Sequence, residues 1–564
     1  MIQDYGSWIP RNARDDERSG KLIFKGNALN IQETIIQKLI SEKARTRADF
    51  RRVVASVYRD SNTSGYDSNI ELRRTYDYMV VNGDIEVDED IEKLLVTKKM
   101  RSLSGVSVIT VLTKPYPCPG KCIYCPTETD VPKSYLADEP AVMRAILNKY
   151  DAKSQVETRL KSLTAQGHPI DKIELIIIGG TFSFLPRDYQ EQFVKECFDA
   201  LNGKKSDHIA EAKTQNETAK SRCVGLTLET RPDYIDKNEV DWFRYLGATR
   251  VELGVQTVFD DILKSNNRGE KVQDTVNATK LLKNAGFKIC YHLMPNLYGS
   301  TVGRDKEMFQ IVFTDYRFKP DYIKIYPCMV IAGTPLHDLW KCAEYKSYTD
   351  QELKEIIKYA KSIVPYWVRI MRTIRDIPAP NIASGSVLSN MRQVIHEEMV
   401  KDGLVCKCIR CREVGANDSL VIPAKAGIQK NSAVSLDSSL RWNDGGVLFT
   451  EKYTASGGDE YFLSYESEDR STLYSLLRLR LGDIAIIREV HTYGQQAEVG
   501  DSGETQHRGY GRRLVFEAEK IARTAGFNKI SVISGVGVRD YYRKFNYTLE
   551  NEYMVKRLDT KLKK

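Results

Sequence analysis

The sequence predicts an α/β protein: a partial parallel βα barrel, a second α/β domain after it, and a helical extension before it. Apolar β-rich segments alternate with amphipathic segments from about residue 102 to 375. A smaller mixed pattern fills residues 447–557, and the first 95 or so residues show only helical periodicity. We therefore expect four regions in the 564-residue chain, at 1–97, 98–375, 376–446 and 447–564.

The N-terminal region, residues 1–97, is predicted to be helical and basic. Residues 30–60 place apolar side chains at helical spacing with charged residues between them. KARTRADFRR (43–52) and TKKMR (97–101) are dense in cations, and the chain has a net charge of +8. These runs are compatible with a polyanionic partner, although a solvated helix face would explain either run alone equally well.

Residues 98–375 are predicted to form repeated βα units on a parallel sheet. Amphipathic segments such as RDYQEQFVKECFDAL separate most of the strands. Six or seven units are too few for an eight-stranded barrel, so an open or partial barrel is expected. The strand-like runs are SGVSVITVLT, KIELIIIGGT, CVGLTLET, RVELGVQT, FKICYHLM, YIKIYP and WVRIMRT.

The last two regions are predicted to be a connector and a separate α/β domain. Within the connector, residues 420–446 are rich in Ser, Ala and Gly, which is typical of an exposed loop or insertion. The domain at 447–564 shows three antiparallel strands, then a long helix, a strand and a short helix.

The sequence has no segment typical of a membrane-spanning or secreted protein. No apolar run reaches the roughly 18 residues of a membrane-spanning helix, and the first residues lack the apolar stretch of a secretory signal. We therefore expect a cytoplasmic protein without a membrane partner. In that compartment, the two clusters that hold six of the eleven cysteines indicate metal or redox chemistry rather than a disulfide framework.

The first cysteine cluster, Cys118, Cys122 and Cys125, has the spacing C-x3-C-x2-C. Structural zinc usually takes four Cys or His ligands, and iron–sulfur clusters usually take four thiolates. No fourth ligand lies nearby in the sequence. Three ligands on a four-iron cluster would leave one iron open for a substrate. On spacing alone, a zinc knuckle and chance clustering stay open as alternatives.

The context of this cluster resembles radical S-adenosylmethionine enzymes. Tyr124 is the aromatic residue that this family favours before its third cysteine, and the next strand ends in a similar glycine-rich turn. The resemblance implies a [4Fe-4S] cluster on Cys118, Cys122 and Cys125, with S-adenosylmethionine on the open iron. The residues expected around S-adenosylmethionine are Gly179, Gly180, Glu229 and Lys324.

QHRGYG, at residues 506–511, matches the pyrophosphate loop Q/R-x-x-G-x-G/A of the GNAT acetyltransferase fold. Bare backbone at Gly509 and Gly511 would let N–H groups approach a diphosphate at the positive end of a helix. A glycine turn at an ordinary helix start is the alternative. ISGVGVRDYYRKFNY then follows at the right distance and resembles the last motif of that fold, so acetyl-CoA binding is expected.

The combination of the two domains resembles the catalytic subunit of Elongator, from about Lys98 to Val555 apart from the 420–446 insertion. That family modifies C5 of the wobble uridine of tRNA with acetyl-CoA and ends at 5-carboxymethyluridine. The resemblance implies a tRNA uridine(34) acetyltransferase that uses a 5′-deoxyadenosyl radical to activate the acetyl methyl. The short x3 spacing indicates a bacterial or archaeal member. The matching segments are CIYCP, IGGT, ETRPDY, NRG, IKIYP, REVG and SGVGVRDYYRK.

The same resemblance implies roles for individual residues. Lys172 aligns with a lysine that contacts acetyl-CoA from the barrel. The alternative is that Lys172 is an ordinary surface lysine at the edge of a strand. Tyr542 would reach the thioester, and its neighbour Tyr541 would either assist or only pack. The residues expected around acetyl-CoA are Lys172, Glu489, Val490, His491, Thr492, Tyr510, Gly511, Arg512 and Tyr542.

The second cluster, Cys406, Cys408 and Cys411, has the spacing C-x-C-x2-C. A structural zinc ion that joins the two domains is the preferred interpretation over free thiols, because soft thiolates suit zinc. A fourth ligand is missing locally. Cys328 is the first remote candidate, and His396 is the second.

The expected partners are tRNA, acetyl-CoA and an electron donor for the cluster. Basic N-terminal residues would contact phosphates, and the anticodon stem-loop would place a splayed base in the barrel mouth. The chain is expected to work without other Elongator subunits, with a homodimer as one form. The alternatives are a protein lysine acetyltransferase, an RNA-binding module with vestigial cofactor sites, and a radical tRNA methylthiotransferase.

Overall fold

A computed structural model describes residues 28–61, 69–96, 105–414, 446–494 and 509–558. The TKKMR run, all but the last residue of the 420–446 insertion, and the first three residues of QHRGYG lie outside the described residues. Within the described ranges, each helix is too short or too polar to cross a bilayer.

The chain divides into two compact units. The first comprises Met1–Lys98 with Ala165–Gly167, and the second comprises the rest. The described part of the first unit is helical, as predicted, but the pattern at 30–60 forms two helices. The second of these begins where the backbone N–H of Asp49 donates to the Thr46 side chain in a capping box. The helices are α1 (Ala28–Ser41), α2 (Arg47–Asp60), α3 (Asn69–Val81) and α4 (Glu89–Leu95).

The second unit begins with an open, seven-stranded, wholly parallel sheet, ordered β1-β2-β3-β4-β5-β6-β8. The predicted partial barrel is confirmed. A short antiparallel pair, β7 with β9, lies beside it. The strands are β1 (Ser107–Leu112), β2 (Lys172–Ile178), β3 (Arg222–Thr230), β4 (Arg250–Gln256), β5 (Lys288–Leu293), β6 (Tyr322–Ile325), β7 (Val330–Ile331), β8 (Arg369–Arg372) and β9 (Ile382–Ser384).

Helices connect these strands and cover the outer face of the barrel. Strand residues that point outward, such as Leu175 on β2 and Val251 on β4, are fully buried in one apolar core with helix residues such as Phe198. The helices are α5 (Pro140–Leu147), α6 (Ala152–Ala165), α7 (Arg187–Asn202), α8 (Ile209–Asn216), α9 (Lys237–Tyr245), α10 (Asp260–Ser265), α11 (Val272–Asn284), α12 (Val302–Thr314), α13 (Pro335–Lys341), α14 (Asp350–Ile363), α15 (Met391–Lys401) and α16 (Ile409–Arg412).

The C-terminal sheet has the strand order β10-β11-β12-β13-β14-β16-β15 and confirms the second α/β domain. Among the described strands of this sheet, β13 and β14 pair in parallel through only three residues of each, so β13 from Arg488 to Thr492 extends past β14; this unpaired edge is here called the groove. The elements are β10 (Val447–Ala455), β11 (Gly458–Glu466), β12 (Leu473–Leu481), β13 (Ala485–Thr492), α17 (Tyr510–Thr524), β14 (Lys529–Val532), α18 (Arg539–Arg543), β15 (Thr548–Glu550) and β16 (Tyr553–Arg557).

One face of the C-terminal sheet packs on α17, and the other packs on the amino edge of the barrel. Leu477 and Leu479 of β12 share an apolar core with Leu514 of α17. The alternate residues of β12, Arg478 and Arg480, point instead toward the barrel and are almost fully buried.

These arginines belong to a buried ion network centred on Asp321, which immediately precedes β6. The Arg488 guanidinium donates to Asp321 at 2.5 Å and to Glu460 at 2.9 Å. Arg478 lies 3.5 Å from Asp321, and Lys283 lies 3.6 Å from Glu460. Burial alone would raise the pKa of Asp321, but Arg488, Lys283 and Arg478 hold it well below its ordinary value.

A β-bulge on β13 turns two consecutive side chains toward the barrel. The register between β12 and β13 shifts where Arg478 pairs with Glu489 and the next residue pairs with Ile487. Arg488 therefore reaches Asp321, and Glu489 accepts a hydrogen bond from the Tyr322 hydroxyl. The bulge thus joins the groove of the C-terminal sheet to the barrel.

The buried network should stabilise the protein far more than a surface ion pair does. Arg488→Met is expected to lower the free energy of unfolding by about 3–5 kcal/mol, because it leaves buried carboxylates with fewer partners. Urea denaturation followed by circular dichroism measures the change. As a matched control, Arg304→Met breaks the ion pair between Arg304 and Asp261. The Arg304 side chain is 31% exposed and the Asp261 side chain is 66% exposed. It should cost less than about 1 kcal/mol. Equal losses in the two variants would contradict this account.

Candidate active site

The first cysteine cluster lies in the loop that follows β1, at the carboxyl edge of the barrel. Cys122 is buried, whereas Cys118 and Cys125 are partly exposed. Gly120 lies between the first two cysteines, where an added Cβ atom would be 2.5 Å from Nη1 of Arg231. A glycine therefore lets the loop close over this buried arginine.

The cluster loop has a cationic setting. Nη1 of Arg268 lies 3.4 Å from the Cys122 sulfur and donates to it. A hydrogen bond from Cys125, together with the charges of Arg268 and Arg231, lowers the pKa of Cys122 to about 4. The site therefore favours a thiolate at Cys122, the form that binds iron, while the same hydrogen bond raises the pKa of Cys125.

The three sulfur atoms of the first cluster do not all lie within 4.8 Å of one another, although Cys122 and Cys125 are hydrogen-bonded. Among the described residues, ligand atoms gather within 4.8 Å of one another in two other groups, Cys406/Cys408/Cys411 and Glu252/Cys290/His292. Cys118, Cys122 and Cys125 do not form such a group.

The predicted S-adenosylmethionine residues Gly179, Gly180 and Glu229 lie at this same carboxyl edge. Gly179 and Gly180 have φ values of +135° and +99°, and a Cβ atom on Gly179 would overlap the hydroxyl of Thr113. That buried hydroxyl has no hydrogen-bond partner. Glu229 accepts a hydrogen bond of 3.0 Å from the Tyr135 hydroxyl. The turn, an unsatisfied hydroxyl and a carboxylate therefore present polar groups of the kind that would hold a polar ligand.

Lys324, the fourth residue predicted for that pocket, lies inside the barrel and forms an ion pair with Glu252. Glu252 also lies 2.8 Å from Nε2 of His292, and Nδ1 of His292 lies 3.8 Å from Glu229. Burial would raise the pKa of Glu252, but Lys324 and then His292 hold it well below its ordinary value. The Lys324 side chain is therefore engaged by a carboxylate inside the barrel.

This network continues to the amino edge of the barrel. Arg250 lies 3.7 Å from Glu252, and its guanidinium carbon is 5.3 Å from the centre of the Tyr322 ring. The Tyr322 hydroxyl donates to Glu489 of the C-terminal sheet. Charged and polar side chains thus follow one another from one end of the barrel to the other, where barrels of this kind usually carry branched apolar residues.

Sequence reasoning singled out Glu229 and Lys324 but missed Glu252 and His292 inside the barrel. Their signal is the alternation of polar and apolar residues within RVELGVQ and KICYHL, which places Glu252 and His292 on the face opposite the apolar core. In a parallel sheet covered by helices, near-continuous apolar strands are usual. The polar positions therefore mark the interior of the barrel.

The predicted acetyl-CoA residues gather at the groove of the C-terminal sheet. Gly509 has φ +78° and precedes the first turn of α17. A Cβ atom on Gly511 would be 2.9 Å from the Tyr541 hydroxyl, 3.5 Å from the Thr492 hydroxyl and 3.8 Å from Val490. The start of α17, the free end of β13 and Tyr541 therefore meet around a bare stretch of backbone.

The side chains of two of these residues, Tyr510 and Arg512, pack against neighbouring rings. Tyr510 is buried, with its ring centre 4.8 Å from that of Tyr465 and 6.2 Å from that of Tyr474. Only the backbone of Tyr510 is placed to contact a ligand at this end of α17. The guanidinium of Arg512 lies over the Phe516 ring, at 5.2 Å.

Glu489 faces the barrel, whereas Tyr541 and Tyr542 pack in the apolar core beside α17. Burial would raise the pKa of Glu489, but Arg478 and Lys288 lower it to about 2. Burial raises the pKa of Tyr541 to about 12 and that of Tyr542 further. At neutral pH both tyrosines are therefore neutral phenols, which can donate hydrogen bonds.

Two further predicted residues are His491, on β13 of the C-terminal sheet, and Lys172, on β2 of the barrel. The His491 ring packs against Tyr493, with ring centres 4.3 Å apart. Lys172 is the first residue of β2, so it lies at the amino edge of the barrel, the edge on which the C-terminal sheet packs. Burial lowers its pKa.

The second cysteine cluster closes the junction between β8 and the C-terminal sheet. The sulfur atoms of Cys406, Cys408 and Cys411 lie within 4.8 Å of one another. Nζ of Lys361 lies 3.8 Å from the Cys411 sulfur. Hydrogen bonds from the other two cysteines, with the charge of Lys361, lower the pKa of Cys408.

Neither predicted fourth ligand belongs to this close group. Cys328 packs with Leu336 and Tyr345 in a separate apolar cluster that also contains Cys122, so it is placed with the first cysteine loop instead. His396 lies on α15, and burial together with the charge of Lys361 lowers its pKa. Sequence spacing could not reveal which loop folds back on which strand.

Comparison with known proteins agrees with this geometry. The Radical SAM superfamily model matches residues 116–311, and the Radical_SAM C-terminal domain model matches residues 320–401. A tRNA uridine(34) acetyltransferase of Methanocaldococcus jannaschii is 45% identical over 495 residues, which cover 84% of this chain and 88% of that protein. Human Elongator complex protein 3 is 40% identical over 489 residues, covering 82% and 86%.

The chain belongs to the Elongator complex protein 3 family. A solved structure of this family, the archaeal Methanocaldococcus infernus Elp3 with an N-terminal deletion, matches with a TM-score of 0.69 and 42% identity, covering 81% of this chain and 100% of that one. As a radical SAM protein of this family, the chain is an enzyme that uses a [4Fe-4S] cluster and S-adenosylmethionine.

Proposed function

We propose that this enzyme modifies C5 of the wobble uridine of tRNA with the acetyl group of acetyl-CoA, as a tRNA uridine(34) acetyltransferase. The observation that carries the proposal is the placement of two sites on one barrel. The cysteine loop lies at the carboxyl edge, and the groove of the C-terminal sheet opens beside the amino edge. The names of relatives at 40–45% identity support the same substrate.

The cysteine loop would hold the cluster through Cys118, Cys122 and Cys125. When bound, the cluster and S-adenosylmethionine supply a 5′-deoxyadenosyl radical, which can take a hydrogen atom from an unactivated methyl group. Around them, Arg268 stabilises the Cys122 thiolate. The Gly179-Gly180 turn and Glu229 would orient S-adenosylmethionine through backbone and carboxylate contacts.

The groove would bind acetyl-CoA. Backbone N–H groups at the start of α17, from Tyr510 to Arg512, would hold the diphosphate at the positive end of the helix. The free part of β13, from Glu489 to Thr492, would lie along the pantetheine arm. Tyr542 and Tyr541 would donate hydrogen bonds near the thioester, and Lys172 would contact the ligand from the barrel.

The remaining partners follow from this chemistry. Basic residues of α2 and its approach, such as Lys43 and Arg51, are exposed and would contact tRNA phosphates. The cluster needs an electron donor. We further propose that the enzyme acts in the cytoplasm, where tRNA is modified, that it needs no other Elongator subunits, and that it forms a homodimer.

The alternative of a protein lysine acetyltransferase is not favoured. In this protein the barrel covers the face of the C-terminal sheet opposite α17 through Asp321, Arg488 and Glu489, so a protein acceptor would have no access from that side. That reaction would also have no use for the cysteine loop.

Transfer of the acetyl carbons tests the function. Reconstituted enzyme, S-adenosylmethionine, a reductant and unmodified tRNA should convert ¹³C-labelled acetyl-CoA into a uridine that carries both labelled carbons at C5. Mass spectrometry of nucleosides and of tryptic peptides measures both possible acceptors. If the label appears on protein lysines and the tRNA stays unmodified, the tRNA proposal is wrong and the lysine acetyltransferase alternative is supported.

The two cysteine clusters should bind different metals. We propose that Cys406, Cys408 and Cys411 hold a structural zinc ion at the junction, because their sulfurs are close enough for one ion. Cys122→Ser should lose iron and keep zinc, and Cys406→Ser should lose about one equivalent of zinc and keep iron. Elemental analysis of both variants measures this. A wild-type protein that contains no zinc would establish free thiols at the junction.

A further inference from the structure

The carboxyl edge of the barrel carries an aromatic cluster that the proposed chemistry does not use. It consists of Tyr116, Phe184 and Tyr234, here called the aromatic rim. Tyr116 follows β1, Phe184 follows β2, and Tyr234 follows β3. These three strands are neighbours in the sheet, so the topology brings three loops with one aromatic residue each to the same part of the active edge.

The three rings contact one another edge to face. The ring centres of Tyr116 and Phe184 are 6.0 Å apart at an angle of 63°, and those of Phe184 and Tyr234 are 5.7 Å apart at 85°. Even so, Tyr116 stays 36% exposed and Phe184 37% exposed. Single exposed aromatics are ordinary, but a cluster at an active edge indicates a binding surface.

The aromatic rim adjoins the cofactor loops. Tyr116 is two residues before Cys118, and Phe184 ends the short turn that follows the Gly179-Gly180 pair. Tyr234 is three residues after Arg231, which lies against the cysteine loop at Gly120. A group that stacks on these rings would therefore lie beside the reacting base rather than in its place.

Exposed cations flank the rim. Lys114, two residues before Tyr116, lies with its ammonium 4.4 Å from the centre of the Tyr189 ring. Arg187, three residues after Phe184, is 47% exposed, but it forms an ion pair with Glu239 and lies over the Trp242 ring at 5.2 Å. The nearby carboxylate of Asp233 is neutralised by Arg231, at 2.7 Å.

Exposed aromatic rings beside a cation are suited to binding single-stranded nucleic acid. Proteins hold single-stranded RNA by stacking splayed bases on aromatic side chains while cations contact the backbone phosphates. An apolar protein segment would match the rings but would gain nothing from the exposed ammonium of Lys114. Charge complementarity therefore favours a nucleotide.

We propose that the aromatic rim stacks a nucleobase of the anticodon loop next to the uridine that is modified, and so holds the loop open at the barrel mouth. This inference depends on the proposed tRNA substrate, and it adds a binding site for a second base of that substrate. It selects single-stranded RNA by its exposed π-faces and sets no base identity, because every base offers a face for stacking.

Binding of a fluorescein-labelled anticodon stem-loop, measured by anisotropy with the cluster-containing enzyme, tests the rim. Phe184→Ala should weaken binding about 10-fold, the typical loss of one stacked base. Phe184→Tyr keeps a ring and should stay within about 2-fold of wild type. Tyr316→Ala removes an aromatic residue that is 60% exposed in the loop before β6, at the opposite edge, and should also stay within that range.

A double-mutant cycle with abasic RNAs identifies the stacked base. Stem-loops that lack one base at a time are titrated with wild type and with Phe184→Ala. At one loop position the two losses should not add, because both remove the same contact. Equal binding by Phe184→Ala and wild type, or full additivity at every position, would overturn the rim. Iron content and urea midpoint are compared first, so that misfolding is not mistaken for lost stacking.

The design separates failure of the rim from failure of the tRNA proposal. If wild type binds and modifies the stem-loop and Phe184→Ala does so equally well, only the rim is overturned. If cluster-containing wild type binds no stem-loop at all, the tRNA substrate itself is wrong, and the rim falls with it.

Discussion

The structure depends on the buried ion network that joins the C-terminal sheet to the amino edge of the barrel. Asp321 and Glu460 are enclosed by Arg488, Arg478 and Lys283 with almost no exposure to solvent. Such a network costs desolvation energy, so it holds only when each charge finds its partner. It therefore fixes one arrangement of the two sheets, and with it the groove between β13 and β14 against the barrel.

The two proposed sites lie at opposite ends of the same barrel. The cysteine loop and the glycine turn lie at the carboxyl edge, whereas Glu489 and the groove lie at the amino edge. A six-residue strand such as β5 spans roughly 20 Å. The interior between the two ends is polar, from Glu229 through Glu252 to Tyr322. Because a radical takes a hydrogen atom only on contact, the account requires the acetyl end to move from the groove to the carboxyl edge.

Much of this architecture could be predicted from the sequence. Local patterns identified the strands of the barrel, the long helix α17 and the cysteine loop, because each is encoded by contiguous periodicity or spacing. The N-terminal helical pattern was correct in type, but it missed the break at Thr46, where a cap outweighs the apolar periodicity.

Other features could not be predicted because they depend on which segments meet in space. Cys328 matched the second cysteine cluster in chemistry, yet its strand end brings it beside Cys122. Tyr510 belongs to the expected loop motif, but Tyr465 and Tyr474 of neighbouring strands bury its ring. The aromatic rim comes from three loops whose proximity follows only from the strand order.

The central claim is that both ends of the barrel act on the same acetyl group. Acetyl-CoA with a trideuterated methyl, incubated with reconstituted enzyme, S-adenosylmethionine, reductant and tRNA, tests it through the isotope content of 5′-deoxyadenosine. The account predicts that deuterium from the acetyl methyl appears in 5′-deoxyadenosine as the uridine is modified. Modified uridine together with 5′-deoxyadenosine free of deuterium would contradict it, and would show that the hydrogen atom is taken from another group.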